Sequence, residues 1–189
     1  MSSPGQFEVE QKFVLEDGSD GFLKRLLELG ARPLDEVRQV DAYFNHPVRD
    51  FRETDEALRI RSVGEQNFLT WKGPKLSQTT KTRREIETPL GAGTAAAEQF
   101  GQVLEILSFH PVASVRKVRQ RFELTRGEHT FEIAFDRVEG LGDFAEIELI
   151  ADKAGLDAAQ AAVLALGADL GLHKVERRSY LALLVGDGE

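Results

Sequence analysis

The sequence of 189 residues contains no cysteine and only one tryptophan, one methionine and two tyrosines. The absence of cysteine excludes disulfides, thiolate zinc sites, iron–sulfur clusters and a cysteine nucleophile. No apolar run approaches the roughly 20 residues that a membrane-spanning helix needs. Residues 1–5 also lack the basic and then apolar layout of a signal peptide. We therefore predict a cytoplasmic protein that has no membrane partner.

An excess of basic residues is also absent, because the formal net charge is −8 and the isoelectric point is about 5.1. A general nucleic-acid surface requires a net positive footprint, so we predict no nucleic-acid partner. A polyanionic ligand would instead have to bind in a local basic pocket. The length is enough to bury one core, which predicts a single domain over residues 1–189.

Alternating apolar and polar residues predict eight short β-strands, because successive side chains of a strand point to opposite faces. The predicted strands span residues 6–15, 37–45, 57–63, 67–72, 81–88, 112–124, 130–136 and 144–151. Apolar residues at helical spacing predict four helices, at residues 20–30, 94–107, 157–170 and 176–185. The predicted fold class is therefore α+β, with antiparallel strands and helices that cover their apolar faces.

The polar faces of these strands carry charges that are sorted by sign, which is unusual for the solvated face of a sheet. Arg59, Arg61, Lys117 and Arg119 lie on strands in the middle of the chain, whereas acid-rich strands lie near both ends. If the sheet curls with its apolar faces outward, the charged faces meet in an enclosed cavity. Arginine and lysine suit phosphate oxygens, and carboxylates suit Mg²⁺ or Mn²⁺. The alternative is a plain α+β domain whose charged faces point to water.

Seven short motifs in this order resemble the CYTH domain family, also called the triphosphate tunnel metalloenzymes. The motifs, which fall within residues 6–184, are Glu8-x-Glu10-x-Lys12, Leu58-Arg59-Ile60-Arg61, Leu69-Thr70-Trp71-Lys72-Gly73-Pro74, Lys81-x-Arg83-x-Glu85-x-Glu87, Arg116-Lys117-x-Arg119, the acidic and glycine-rich run 136–148, and Ser179-Tyr180. Residues 41–58 are most similar to the class IV adenylyl cyclase branch. The resemblance implies a closed eight-stranded antiparallel β-barrel, the triphosphate tunnel, with helices packed outside.

The resemblance also implies roles for individual residues. The carboxylates that would hold Mg²⁺ or Mn²⁺ are Glu8, Glu10, Asp136, Glu146 and Glu148. The basic residues that would grip the triphosphate are Lys12, Arg59, Arg61, Lys72, Arg83, Lys117 and Arg119. Further candidates for supporting or catalytic roles are Glu85, Arg121 and Lys174.

Conversion of ATP to cyclic AMP and pyrophosphate is the reaction that the resemblance favours, because of the stretch at residues 41–58. Hydrolysis of thiamine triphosphate, inorganic tripolyphosphate or a nucleoside triphosphate is the alternative enzymatic function. A module that binds a nucleotide or polyphosphate without catalysis is a third interpretation. The expected partner is a small molecule that contains a triphosphate, and a homodimer is compatible with the resemblance.

Overall fold

The computed structural model describes residues 6–16, 18–75 and 82–186, and this part of the chain forms eight strands and four helices. The strands are β1 Gln6–Val14, β2 Arg32–Asn45, β3 Ala57–Val63, β4 Gln66–Lys72, β5 Glu85–Pro89, β6 His110–Arg126, β7 His129–Val138 and β8 Gly142–Asp152. The helices are α1 Asp20–Glu28, α2 Thr94–Ile106, α3 Leu156–Asp169 and α4 Tyr180–Val185. Each predicted element has a counterpart, although Lys81, where the fifth strand was expected to begin, lies outside the described residues.

All eight strands belong to one antiparallel sheet in the order β1-β8-β7-β6-β2-β3-β4-β5. The two edge strands approach each other, but the described residues join them only by an isolated bridge between Glu8 and Arg83. Arg83 precedes β5, which has only five residues and pairs with β4 on its other side. The sheet is therefore an open half-barrel, and the expectation of a closed barrel was wrong. Within the described residues, no continuous ladder joins β1 to β5.

The outer face of the sheet is apolar and is covered by helices, as the alternation predicted. Leu26 of α1 and Leu166 of α3 are fully buried against β1, β7 and β8, and burying a leucine contributes about 1.5–3 kcal/mol. A side chain at Gly167 would come 2.7 Å from the ring of Phe13, so glycine allows α3 to lie close to β1. Helix α2 covers β2, β3 and β4 through Leu104.

The inner face of the half-barrel is polar except at one end, where α4 closes it. Ser179 begins this helix by accepting a hydrogen bond from the backbone nitrogen of Ala182 at 3.0 Å. Tyr180 then packs in a cluster with Tyr43, Val115, Val138 and Phe144. Residues near the other end of β2 are exposed, which leaves the opposite end of the half-barrel as a mouth. In the part of the chain that is described, no helix is both long and apolar enough to cross a bilayer.

Candidate functional site

The inner face encloses a cavity of about 980 Å³. Among the described residues, nine acidic and nine basic side chains line it, so the lining itself carries no net formal charge. Thirteen of the fifteen predicted site residues are among them: Glu8, Glu10, Lys12, Arg59, Arg61, Lys72, Arg83, Glu85, Lys117, Arg119, Arg121, Glu146 and Glu148. Strand periodicity therefore predicted the inward face correctly, and the alternative of charged faces pointing to water does not describe this fold.

Four cations from β3 and β6 form one side of the cavity, and we call Arg59, Arg61, Lys117 and Arg119 the cation wall. Asp41 of β2 lies between these strands and is 1% exposed. It accepts hydrogen bonds from Nε and Nη2 of Arg61 at 2.7 and 2.8 Å, and from Nη1 of Arg59 at 3.2 Å. Burial alone would raise the pKa of Asp41, but the two guanidinium groups hold it well below its ordinary value. Asp41 therefore stays ionised and orients both arginines.

Sequence reasoning assigned no role to Asp41. The available signal was the alternation of Gln39, Asp41 and Tyr43, which places three polar side chains on the inner face of β2. Asp41 lies on the inner face in the middle of a central strand, where it is buried. Such a residue requires a partner of opposite charge.

Asp136 of β7 binds the two cation-wall residues of β6, Lys117 and Arg119. Its side chain is 0% exposed and accepts from Nζ of Lys117 at 2.8 Å and from Nε and Nη2 of Arg119 at 2.6 and 2.5 Å. The hydroxyl of Tyr180 also donates to Asp136, at 2.9 Å. We expected Asp136 to be a metal ligand, but both of its oxygens are already engaged and it does not line the cavity. The structure makes it the residue that positions Lys117 and Arg119.

Lys117 is the member of the cation wall whose pKa is shifted toward neutral pH. The pKa of Lys117 is lowered to about 8, chiefly by burial and then by the positive charge of Arg119, while Asp136 opposes the shift. Glu146 accepts a hydrogen bond from Arg119, which places this carboxylate beside the cation wall.

Carboxylates from the two sheet edges meet on the other side of the cavity, and we call Glu8, Glu10, Glu85 and Glu148 the acid wall. Lys72 lies among them, with Nζ 3.1 Å from Oε1 of Glu8 and 2.7 Å from Oε2 of Glu85. The meeting depends on the curl of the sheet, since β1 and β5 are at opposite ends of the strand order.

The acid wall carries more negative charge than its lysine neutralises. Burial raises the pKa of Glu8 well above its ordinary value, and Glu148 and Glu85 add to the effect against the opposing charge of Lys72. Burial likewise raises the pKa of Glu148 to about 7, with Glu10 and Glu132 contributing. This wall would be stabilised by an additional positive charge.

Lys12 occupies the inner end of the cavity and is 1% exposed. Its Nζ donates to the backbone oxygen of Arg178 at 2.6 Å and lies 3.8 Å from the ring centroid of Tyr180. A desolvated ammonium group over an aromatic ring is a favourable cation–π arrangement. Lys12 belongs to β1, so these contacts join β1 to the segment around α4 that closes the half-barrel.

Three other predicted site residues belong to neither wall. Arg83 is 8% exposed and lies where the two sheet edges approach. Arg121 lies toward the mouth, with Nη1 3.9 Å from Glu132. Lys174 does not reach the cavity, because it lies on the outer surface before α4 and forms an exposed ion pair with Glu16. Lys174 was expected to join the site, and it lies outside the cavity that thirteen of the other predicted residues line.

The acid wall has the donor chemistry that Mg²⁺ or Mn²⁺ requires. Within residues 6–16, 18–75 and 82–186, no three acidic or histidine side chains form a preformed metal cage. Magnesium in phosphate-binding sites usually takes only one or two carboxylates, with water and substrate oxygens completing its shell. Glu8, Glu10 and Glu148 offer such oxygens, and because burial raises the pKa values of Glu8 and Glu148, a bound cation would favour their charged forms. The residues therefore fit a divalent ion.

A family model of the CYTH domain matches residues 6–180. The chain belongs to the CYTH family. Members of this family are adenylate cyclases or triphosphatases that bind triphosphate substrates such as ATP and use divalent metals. The CYTH assignment agrees with the sorted charges of the cavity.

Relatives of this CYTH chain match it over nearly its whole length. A Methanocaldococcus jannaschii protein provisionally named an adenylate cyclase is 37% identical over 179 residues, which cover 93% of this chain and 97% of that protein. The adenylate cyclase CyaB of Aeromonas hydrophila is 28% identical over 185 residues, covering 95% and 89%. A solved Pyrococcus horikoshii protein is 36% identical with a TM-score of 0.82, covering 94% and 98%.

The CYTH fold extends to a more distant solved structure. A Hippeastrum protein provisionally named an adenylyl cyclase, and described as having a dominant triphosphatase activity, has a TM-score of 0.67 over 95% of each chain. Its sequence identity to this chain is 18%, so the likeness establishes a shared fold.

Proposed function

We propose that this chain binds ATP with a divalent metal in its cavity and converts it to cyclic AMP and pyrophosphate. The observation that carries the proposal is the pairing of a preorganised cation wall with an under-neutralised acid wall in one cavity. A triphosphate alone would match only the cations, and a metal alone would match only the carboxylates. A metal–triphosphate complex matches both. The names of the M. jannaschii and A. hydrophila relatives favour the cyclase reaction.

The cation wall binds the phosphate oxygens and stabilises the charge that develops on them. Arg61 and Arg119 are each held by a bidentate contact to a buried aspartate, so their orientation is set before substrate enters. Preorganised cations need not reorganise as charge builds up in the transition state, which makes them effective in phosphoryl chemistry. Lys117 is largely protonated below its pKa of about 8, and a bound anion would favour its charged form further.

The cyclase reaction requires the ribose 3′-oxygen to lie in line with the α-phosphorus. The new bond joins O3′ to the α-phosphorus, the bond from that phosphorus to the β-phosphate oxygen breaks, and pyrophosphate leaves while the 3′-hydroxyl loses its proton. Mg²⁺ or Mn²⁺ held by Glu8, Glu10 and Glu148 would supply Lewis-acid stabilisation of the phosphate oxygens.

Triphosphatase activity is the second candidate, favoured by the description of the Hippeastrum protein that shares this fold. In that reaction water attacks the terminal phosphorus, and the products are orthophosphate and a diphosphate. The same two walls would serve, because the difference lies in which phosphorus faces the nucleophile. The candidate substrates are thiamine triphosphate, inorganic tripolyphosphate and nucleoside triphosphates.

Product analysis distinguishes these reactions. Purified protein is incubated with ATP, tripolyphosphate or thiamine triphosphate and with Mg²⁺ or Mn²⁺, and the products are separated by chromatography. Cyclic AMP with an equal amount of pyrophosphate supports the cyclase, whereas orthophosphate without cyclic AMP supports the triphosphatase. Binding of a triphosphate without turnover would support a non-catalytic module.

The matched variants Arg61→Ala and Arg126→Ala test whether the reaction takes place in the cavity. Arg61 is in the cation wall, while Arg126 is an exposed arginine that pairs with Asp169 outside the cavity. We expect the first variant to lose most of the turnover and the second to retain it. Equal activity of the two variants would place the reaction elsewhere.

A further inference from the structure

The mouth of the cavity carries apolar side chains beside charged ones such as Arg121 and Glu132. Four apolar side chains line it, from strands β2, β3, β4 and β8: Val37, Val63, Phe68 and Ile150. Ile150 is 43% exposed, and Phe68 is only partly buried and belongs to none of the three hydrophobic clusters of the described chain. An aromatic ring that faces a polar cavity and does not join the core is available to a ligand.

Strand register places these side chains next to the cation wall. Phe68 lies directly across the β3–β4 ladder from Arg61, and Val63 lies across the β2–β3 ladder from Gln39. Opposite residues in an antiparallel pair have neighbouring side chains. Because α4 closes the inner end, a group attached to a triphosphate on the cation wall can extend toward this mouth.

Gln39 lies between the cation wall and the apolar side chains of the mouth, opposite Lys117 on β6 and Val63 on β3. It precedes Asp41 by one step on the same face of β2, it lines the cavity, and it is 7% exposed. Its Oε1 atom is buried and has no hydrogen-bond partner among the described residues. An unpaired buried amide oxygen is costly, and a ligand group that pairs with this carboxamide would remove that cost.

We propose that the mouth is a nucleobase subsite, in which the Gln39 carboxamide pairs with the edge of the base and Phe68 packs against its face. A carboxamide presents one donor and one acceptor, which match the N6 and N7 atoms of adenine, whereas guanine presents two acceptors at O6 and N7. The subsite therefore selects an adenine nucleoside triphosphate over a guanine one and gives no benefit to inorganic tripolyphosphate. This inference rests on the proposed function, since it assumes that the triphosphate lies on the cation wall.

The test compares how one substitution affects ligands with and without a base. The affinities of ATP, GTP and tripolyphosphate are measured by thermal-shift titration in buffer with EDTA, where metal-dependent turnover does not consume the ligand. Gln39→Leu removes the carboxamide at similar size. Gln120→Leu is the matched control, since Gln120 lies on the opposite face of β6 from Lys117 and Arg119 and does not line the cavity.

We expect Gln39→Leu to weaken ATP binding about tenfold, which is the lower part of the range for a bidentate base contact. Tripolyphosphate binding should stay within about twofold of the parent, and Gln120→Leu should change neither ligand. The parent should also bind ATP more tightly than GTP. A Phe68→Ala variant should show the same selective loss for ATP, and it keeps the proposal testable if Gln39→Leu does not fold.

Two results would overturn the subsite in distinguishable ways. If both cavity variants bind ATP and tripolyphosphate as the parent does, or lose both ligands equally, the mouth does not recognise a base and the proposed function survives. If the parent binds neither triphosphate, either in EDTA or with Mg²⁺ present, the cation wall is not a triphosphate site, and the proposed function fails together with the subsite.

Discussion

Arg61 and Arg119 in the cation wall each have a buried aspartate beneath them, whereas Glu8 and Glu148 in the acid wall share a single lysine, Lys72, with other carboxylates. The first arrangement lowers the pKa of Asp41, and the second raises the pKa of Glu8 and Glu148. Both walls line the same cavity. The arginines of the cation wall therefore have partners of opposite charge within the protein. Glu8 and Glu148 of the acid wall would be stabilised by a further cation from outside.

This difference separates structural stability from ligand binding. Asp41 and Asp136 contribute to the fold because they neutralise cations that would otherwise be buried alone. Glu8 and Glu148 of the acid wall oppose folding when they are ionised, since burial and neighbouring carboxylates disfavour their charge. Substitutions of Asp41 or Asp136 and substitutions of Glu8 or Glu148 should accordingly have opposite effects on the stability of the ligand-free protein.

The largest effect is expected for Asp136→Ala, which leaves Lys117 and Arg119 buried without their shared partner. Removing one member of a buried ion pair typically costs about 3–5 kcal/mol, so we expect a loss of that size in the free energy of unfolding, measured by urea denaturation. Asp169→Ala breaks an exposed pair with Arg126 and should cost less than about 1 kcal/mol. Similar losses in the two variants would contradict the role assigned to Asp136.

Next in size is the loss of a cation that faces the ligand. Arg61→Ala should weaken tripolyphosphate binding about tenfold to a hundredfold, because a charge-assisted hydrogen bond contributes about 1.5–3 kcal/mol. Calorimetric titration measures this change, with Arg126→Ala as the exposed control. Unchanged affinity in Arg61→Ala would mean that phosphate does not contact this end of the cation wall.

The acid wall predicts a stabilising substitution that depends on pH. Burial raises the folded-state pKa of Glu148 to about 7, above an unfolded value of about 4.3. The folded protein therefore binds more protons between these values, and the contribution of Glu148 to stability is present below pH 4 and lost as the pH rises through 7. Glu148→Gln should raise the free energy of unfolding at pH 8 by about 1–2 kcal/mol and change it little near pH 4.

Urea denaturation of Glu148→Gln at both pH values, in EDTA, measures this difference. The control is Glu123→Gln, which removes a carboxylate that is 42% exposed and paired with Arg32 outside the acid wall. A Glu148→Gln variant that is less stable than the parent at pH 8 would show that this carboxylate is already neutralised without metal.

The smallest effect is expected for Lys174→Ala, because the ion pair of Lys174 with Glu16 is exposed on both sides. Exposed pairs contribute between zero and about 1 kcal/mol. We expect turnover and triphosphate affinity to be unchanged, as measured in the assays above. A clear loss of affinity would mean that Lys174 contributes to triphosphate binding although it lies outside the cavity.

Much of the architecture was predictable because strand and helix periodicities are local properties. Alternation in residues 57–63 and 112–124 identified the faces that carry Arg59 and Lys117, and both side chains line the cavity. The same reasoning could not separate Asp136 from Glu132, since both have inward parity on β7. Only Glu132 lines the cavity, because Tyr180 and the cation wall cover Asp136.

Contacts between distant strands were beyond the reach of that reasoning. The pairing of Asp41 with Arg61 depends on the β2–β3 register, and the approach of Lys72 to Glu8 depends on how far the sheet curls. Closure of the barrel likewise depends on the edge strands, whose meeting is limited to the bridge at Arg83 in the described chain.

By itself, the sequence determined the order of the elements, the sorting of charge by strand and the separation of an apolar face from a charged one, because a strand repeats every two residues and a helix every 3.6. The tertiary structure decided which inward side chains reach the cavity, which are covered by α4 and which carboxylate serves which cation. These outcomes depend on register, curl and burial. The free energy of a charge is set by neighbours that are distant in the chain, such as Glu8 and Lys72, so no local pattern can specify it.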